Sequence, residues 1–323
     1  MISEEIIRSR VERLFSEITF SDEPKGLYDP LRYMISIGGK RIRPTLCLTT
    51  YGLYNDDFTD EVLAAAEALE VFHTFTLIHD DIMDKSPLRR GQETVWTKWD
   101  SDHAILSGDA MCIDSYRRLS AVGPDILPEV LHLFSRTAAL VCDGQQSDMD
   151  FESLDSVPMN QYMVMIARKT AVLLACSAQM GAVIARQSPM VGDTLYYYGY
   201  YLGLAFQIAD DYLDTYGDEC VFGKPIGGDI VNSKKTWLTV KAMEDGAEGL
   251  AEAMTLPSVT AQEKARKIAH VKEIYESVGV REKALEEIRK LTERALSEAG
   301  EVTSAAAYDT LRNFAHALVG RTF

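Results

Sequence analysis

Cysteine is sparse in this chain and never paired in sequence. Five residues, at 47, 112, 142, 176 and 220, form no C-x-x-C and leave an odd count, which speaks against a disulfide framework and for reduced thiols in a cytoplasmic protein. Long apolar runs are missing as well. No segment reaches the roughly 18 to 20 uninterrupted apolar residues of a membrane span. The start, Met1-Ile-Ser-Glu-Glu-Ile, has neither the basic flank nor the apolar run of a signal peptide. Positive charge is in deficit: 33 Lys plus Arg stand against 49 Asp plus Glu, a net −16. That balance argues against nucleic acid as a partner, because phosphate backbones require basic surfaces. An anionic small substrate is compatible with it only where metal ions and a local group of cations invert the sign.

Alternating β-branched runs are also lacking, and what fills their place is helical. The stretch Glu61 to Asp84 is rich in Ala, Leu and Glu, contains neither Gly nor Pro, and is expected to run as one long helix. Comparable stretches cover about 4 to 18, 44 to 54, 101 to 119, 128 to 150, 159 to 186, 192 to 215, 233 to 246, 259 to 276 and 278 to 299. Turn signals separate them at Asp29-Pro30, Gly38-Gly39, Pro87, Gly123-Pro124, Ser188-Pro189, Gly223-Lys224-Pro225 with Gly227-Gly228, and Leu256-Pro257. With 46% hydrophobic residues, 323 residues can bury a large core, and no break in composition demands a division. A single all-α domain over residues 1–323 is expected.

Two acidic clusters with one spacing stand out, Asp80-Asp81-Ile-Met-Asp84 and Asp210-Asp211-Tyr-Leu-Asp214, each in an apolar helical stretch. At 3.6 residues per turn, the first and last aspartates of each lie one turn apart on nearly one face. Like charges so placed repel, and apolar surroundings make them costly, so the pattern calls for a cation. Oxygen-only ligands favour magnesium over zinc. Basic residues are clustered as specifically. Gly38-Gly39-Lys40-Arg41-Ile42-Arg43-Pro44 sets three cations beside a glycine pair, and Arg89-Arg90-Gly91 follows the first motif by five residues. Lys169-Thr170, Lys224 and Lys234-Lys235-Thr236 add more. Carboxylates that bind metal, ringed by cations that match phosphate oxygens, suggest a substrate bearing a diphosphate. Taken singly each piece has an ordinary reading: a solvated acidic face, a basic loop, a structural histidine at His73. Gly199, Gly203 and the tyrosines around them are expected to pack helices closely. The joint order along the chain is what carries the functional reading.

In that order the residues resemble the trans-isoprenyl diphosphate synthases, which make geranyl, farnesyl, geranylgeranyl and longer polyprenyl diphosphates. The resemblance runs from about Gly38 to Trp237. It implies the all-α isoprenoid synthase fold, ten or more helices around a deep central cavity, usually in a homodimer. It also implies magnesium as cofactor, three ions with an allylic diphosphate bound, and the allylic diphosphate and isopentenyl diphosphate as substrates. Carried over by position, Asp80, Asp84 and Asp210 resemble the principal magnesium ligands. Asp81, Asp211 and Asp214 support them or bind through water. Arg89, Lys169, Lys224 and Lys234 resemble the allylic diphosphate grip, and Lys40, Arg43, His73 and Arg90 the isopentenyl diphosphate site. Thr170 and Gln207 match residues that face the reacting carbon, and Gly144 to Asp148 fits the family's G-Q-x-x-D stretch, with Gln145 and Asp148.

In this family, bulk four, five or eight residues before the first aspartate floors the product pocket; those positions are Thr76, Phe75 and Phe72. A helical wheel puts Thr76 about 40°, Phe72 about 80° and Phe75 about 140° from Asp80. Geometry therefore does not nominate Phe75, whereas the resemblance does, and a product of fifteen or twenty carbons is expected. Trp96 and Glu93 depart from the family pattern, and the end at Gly320-Arg-Thr-Phe323 lacks the basic tail of some farnesyl synthases. A class I terpene cyclase also uses D-D-x-x-D, but its second motif carries Asn or Asp with Ser or Thr and Glu, unlike Asp210 to Asp214. A noncatalytic subunit of a heteromeric synthase typically loses one motif, and this chain keeps both.

Overall fold

The structure is a computed structural model, and it describes residues 1–217, 226–302 and 304–320, the side chain of Val302 excepted. In chain order α1 spans Glu4–Ser16, α2 Lys25–Ser36, α3 Ile42–Gly52 and α4 Asp60–Met83. A hairpin of β1 (Leu88–Arg89) and β2 (Gln92–Glu93) leads to α5 (Val95–Lys98), α6 (Ser101–Leu119) and α7 (Leu127–Glu152). Next, α8 (Met159–Ile166) passes through a π-helical turn, Ala167–Ala171, into α9 (Val172–Ile184), and α10 spans Pro189–Tyr216. The later described helices are α11 (Gly228–Val231), α12 (Trp237–Glu244), α13 (Leu250–Met254), α14 (Ala261–Ser277), α15 (Val280–Val302) and α16 (Ala305–Val319). The fold is all-α, as expected.

Local chemistry starts these helices where it should. Thr59, Thr236, Thr260 and Ser304 cap α4, α12, α14 and α16 through their side-chain oxygens, and Glu263 completes a capping box on α14. Pro189 opens α10 at a position where a missing N–H costs nothing. Three departures from the expected elements have physical causes. Asp29-Pro30 is not a turn: Pro30 lies buried inside α2, whose apolar face of Leu31, Met34 and Ile35 is sunk in the core. Burial of that face outweighs the hydrogen bond that proline removes. Helix α16 is built on Ala307, Leu311, Ala315 and Val319, an i, i+4 stripe too rich in alanine to stand out in sequence. The expected helix over 159 to 186 is interrupted by the π-turn, which carries Lys169 and Thr170. The turn expected at Gly223-Lys224-Pro225 lies outside the described residues.

The chain divides into two compact units, Met1–Arg136 with Cys176–Tyr196, and Thr137–Ala175 with Tyr197–Phe323. In the first, Leu31, Met34, Val71, Ile78, Val95 and Met111 form one buried cluster that seats α4 against its neighbours. In the second, Tyr198 and Tyr275 are fully buried, and each satisfies its hydroxyl, Tyr198 by donating to Leu311 O and Tyr275 with Thr239. Two stretches, Asp60–Met83 and Met159–Ile184, are long and apolar enough to cross a membrane. Burial of 56% and 67% of their apolar windows inside the protein makes them core helices.

Candidate active site

Both aspartate motifs sit at the C-terminal ends of long helices. Asp80 and Asp81 occupy the last turn of α4 and Asp84 is its C-cap, while Asp210, Asp211 and Asp214 fall in the last two turns of α10. Neither helix has a basic residue in its last turn. The carbonyl end of a helix is its negative pole, so each carboxylate there costs about 0.3–1 kcal/mol rather than contributing stability. The arrangement amounts to two concentrated negative fields, each suited to a cation. Among the described residues, no three His, Cys, Asp or Glu side chains already stand together as a metal centre.

The middle aspartates are anchors. Asp81 is 1% exposed and lies under a fork from Arg89: Nε donates to Oδ1 and Oδ2 at 3.0 and 2.9 Å, and Nη2 to Oδ1 at 2.8 Å. Burial works against the Arg89 charge, but hydrogen bonds to Asp81 and the charges of Asp81, Asp80 and Asp84 hold its pKa above the ordinary value. Asp211 is also buried, yet its partners are neutral. Tyr162 OH donates to Oδ2 at 2.5 Å, Trp237 N to Oδ2 at 2.8 Å and Gln207 Nε2 to Oδ1 at 2.9 Å. Burial and the nearby Asp229 charge raise its pKa to about 7, against the pull of those three donors. Asp214 accepts from Asp229 N at 2.9 Å through Oδ2, which ties α11 to the end of α10. Asp80 and Asp210 are partly exposed and Asp84 is exposed.

In the first unit the cations gather around a residue that the sequence did not single out, Glu70. It is 3% exposed on α4 and accepts from Arg41 Nη1 at 2.8 Å. Arg43 is buried, and burial lowers its pKa to about 10, partly offset by Glu70 and reinforced by Arg90. Arg90 is lowered too, by burial first, with Glu70 opposing and Arg89 and Arg41 adding. Among the described residues, Arg43 Nε and Glu70 Oε2 are buried with no hydrogen-bond partner. His73, one turn from Glu70, stays neutral, because burial and the surrounding Arg43, Arg89, Arg90 and Arg41 all oppose its protonation. Arg90 reaches this group from the hairpin turn, where Arg90 and Gly91 have φ of 53° and 74°, the sign that primed turns require. Gly39 receives it: a Cβ there would lie 2.6 Å from Arg90 Nη1 and displace the guanidinium, and the φ of 149° at this position favours glycine. Lys40 follows Gly39 directly in the loop before α3. Arg43, His73 and Arg90 thus belong to one basic region.

In the second unit the π-turn brings Lys169 and Thr170 to α7 and α10. Lys169 Nζ donates to Asp148 Oδ2 at 2.6 Å. Thr170 Oγ1 donates to Gln207 Oε1 at 2.8 Å, and Gln207 passes the chain on to Asp211. Gly144 of the G-Q-x-x-D stretch makes this approach possible, since a Cβ there would sit 2.3 Å from Lys169 N. Gly199 and Gly203 pack against Ala175 and Ala171 at comparable separations, the close helix packing expected of them. Lys234 stands between Asp229 O, which accepts from its N–H at 2.9 Å, and Thr239 Oγ1, which donates to its carbonyl at 3.2 Å. Lys224 lies outside the described residues. Besides Glu70, sequence reasoning missed Tyr162, Asp229 and the N–H of Trp237. None of them belongs to a motif, and only the fold brings them to the aspartates.

Two of the three product-length candidates, Phe72 and Phe75, fall in a chain of edge-to-face rings. Phe72 meets Phe75 and Phe134 at centroid distances of 5.2 Å each, and Phe75 meets His79 at 5.0 Å. Phe72 is 1% exposed and Phe75 partly buried. Thr76 donates to His73 O at 2.8 Å. Trp96, one of the departures from the family pattern, donates its indole N–H to Ser86 O at 2.8 Å, and Glu93 accepts from Tyr33 OH through its backbone carbonyl at 2.7 Å.

Comparison with known proteins agrees with this geometry. The family model described as polyprenyl synthetase matches residues 24–278. A geranylgeranyl pyrophosphate synthase of Geoglobus acetivorans is 39% identical over 253 residues, 77% of this chain and 78% of its own. A short chain isoprenyl diphosphate synthase of Methanothermobacter thermautotrophicus is 37% identical over 295 residues, 90% of this chain and 89% of its own. A crystal structure of a geranylgeranyl pyrophosphate synthase superposes with a TM-score of 0.94 at 42% identity, over 99% of both chains. The chain belongs to the polyprenyl synthetase family.

Proposed function

We propose that this chain is a trans-prenyltransferase that condenses isopentenyl diphosphate with an allylic diphosphate and releases pyrophosphate. The product is a short-chain trans prenyl diphosphate of fifteen or twenty carbons. The names of the Geoglobus acetivorans relative and of the superposed crystal structure favour geranylgeranyl diphosphate. One observation carries the reading: two motifs of like spacing sit on the negative poles of long helices, each with its middle carboxylate held by the protein, within the span of the family match. We further propose that residues 1–323 act as one synthase domain, as a cytoplasmic homodimer.

The donor set fits a hard divalent ion, and the family generally uses magnesium. Asp80, Asp84 and Asp210 would hold it, three ions in all with an allylic diphosphate present, while Asp81, Asp211 and Asp214 orient the helix ends. When bound, magnesium neutralises charge on the departing diphosphate and so favours ionisation of the allylic C–O bond. Arg89, Lys169, Lys224 and Lys234 grip the allylic diphosphate; Lys40, Arg43 and Arg90 grip isopentenyl diphosphate, with neutral His73 donating a hydrogen bond rather than a charge. Carbonyl dipoles of the π-turn and the oxygens of Thr170 and Gln207 stabilise the allylic cation without trapping it. The isopentenyl double bond attacks, a carbon–carbon bond forms, and the resulting cation loses a proton to the released pyrophosphate.

The test is incubation with magnesium, isopentenyl diphosphate and each allylic primer in turn, followed by mass analysis. An elongated diphosphate is the expected product. No elongation under any primer would sink the reading, and a cyclic hydrocarbon would favour a terpene cyclase. Product length has its own test: Phe75→Ala is expected to lengthen the product, and an unchanged distribution would remove Phe75 from the pocket floor.

A further inference from the structure

A buried ammonium lies beneath the segment that carries Lys234. Lys267 on α14 is 2% exposed. Its Nζ donates to Ser233 Oγ at 2.8 Å and to Val231 O at 3.3 Å, and among the described residues it has no carboxylate partner. Ser233 holds a left-handed φ of 56° and passes its own proton to Met254 O at 2.7 Å, so its oxygen is left to accept from Lys267. The next residue is Lys234, whose N–H bonds Asp229 O at 2.9 Å, and Asp229 N in turn bonds Asp214 Oδ2 at 2.9 Å. One short relay therefore joins the turn over Lys267 to the last aspartate of the second motif. Packing alone does not account for the lysine. A methionine would fill the same space without the desolvation of a charge, and burial here pushes the Lys267 pKa down. What an ammonium adds is two directed hydrogen bonds onto a strained turn.

We propose that Lys267 is a positioning residue whose buried ammonium staples the Val231–Ser233 turn and thereby fixes where Lys234 stands relative to Asp214. The inference rests on the reading of Lys234 as part of the allylic diphosphate grip. Its test is steady-state kinetics on the full chain carrying Lys267→Met, with each substrate varied separately, and a double-mutant cycle with Lys234→Ala. The expected result is a rise of about tenfold in KM for the allylic diphosphate, equivalent to one charge-assisted hydrogen bond, with KM for isopentenyl diphosphate unchanged. Added to Lys234→Ala, Lys267→Met should raise the allylic KM no further. Parallel rises in both KM values, an unchanged allylic KM, or full additivity would overturn the inference. If Lys267→Met does not yield folded protein, Ser233→Ala removes the acceptor instead and should raise the allylic KM about threefold; an unchanged value overturns the inference equally. Lys234→Ala alone separates the two levels. If it leaves the allylic KM unchanged, the grip reading fails and takes the inference with it. If it raises that KM while Lys267→Met is silent, only the inference fails.

Discussion

Asp81 and Asp211 hold the same place in two motifs of identical spacing, but opposite means secure them. Asp81 lies under the guanidinium of Arg89, a permanent cation delivered by the hairpin. Asp211 receives three neutral donors, and its pKa is raised to about 7 by burial and Asp229. The first motif is thus a charge-compensated end of α4 bordered by further arginines, whereas the second is a hydrogen-bonded end of α10 joined to Thr170 and Trp237. Two regions that read alike differ in how the middle carboxylate is held, and differ again at the last position, where Asp84 is exposed and Asp214 is buried.

The contrast can be broken at several strengths. Asp80→Ala and Asp210→Ala should each lower kcat for isopentenyl diphosphate condensation on the order of a thousandfold, if both motifs serve the same charge neutralisation. A loss confined to one of them would make the motifs unequal in function as well as in anchoring. Arg89→Met removes the guanidinium fork from the buried Asp81 and should cost about 3–5 kcal/mol, read as the shift in a urea unfolding midpoint. Tyr162→Phe removes one of three neutral donors from Asp211 and should cost about 1–2 kcal/mol in the same assay. Equal losses from these two variants would erase the distinction. The smallest effect concerns His73. Burial and the neighbouring arginines hold its folded pKa well below the ordinary 6.5, so as pH falls below about 6.5 the unfolded chain takes up a proton that the native state refuses, and stability falls. His73→Gln should flatten that part of a thermal-melt profile between pH 7.5 and 5, with stability above pH 6.5 little changed.

Much of this was legible in the chain. The long apolar helices, both aspartate motifs and most of the cations were visible, because periodicity and repeated spacing are local properties. Pro30 misled because its local rule, that proline breaks helices, lost to the burial of Leu31, Met34 and Ile35 on the same helix. The π-turn at Lys169 was hidden because its residues have ordinary helical propensities, and the register change shows only in how Gly144 meets the Lys169 backbone. Glu70 passed unnoticed as one more acid in a helix rich in them, until Arg41, Arg43 and Arg90 were seen to surround it.

By itself, then, the sequence determined that this is an all-α protein with two acidic helix faces of one spacing and clustered cations, since helix period and charge spacing are written residue by residue. Tertiary structure alone decided which aspartate of each motif is an anchor and which faces outward, and by what chemistry each anchor is held. The partners concerned, Arg89 across the hairpin, and Tyr162, Gln207 and Trp237 around Asp211, are chosen by packing and by the need to satisfy a buried carboxylate.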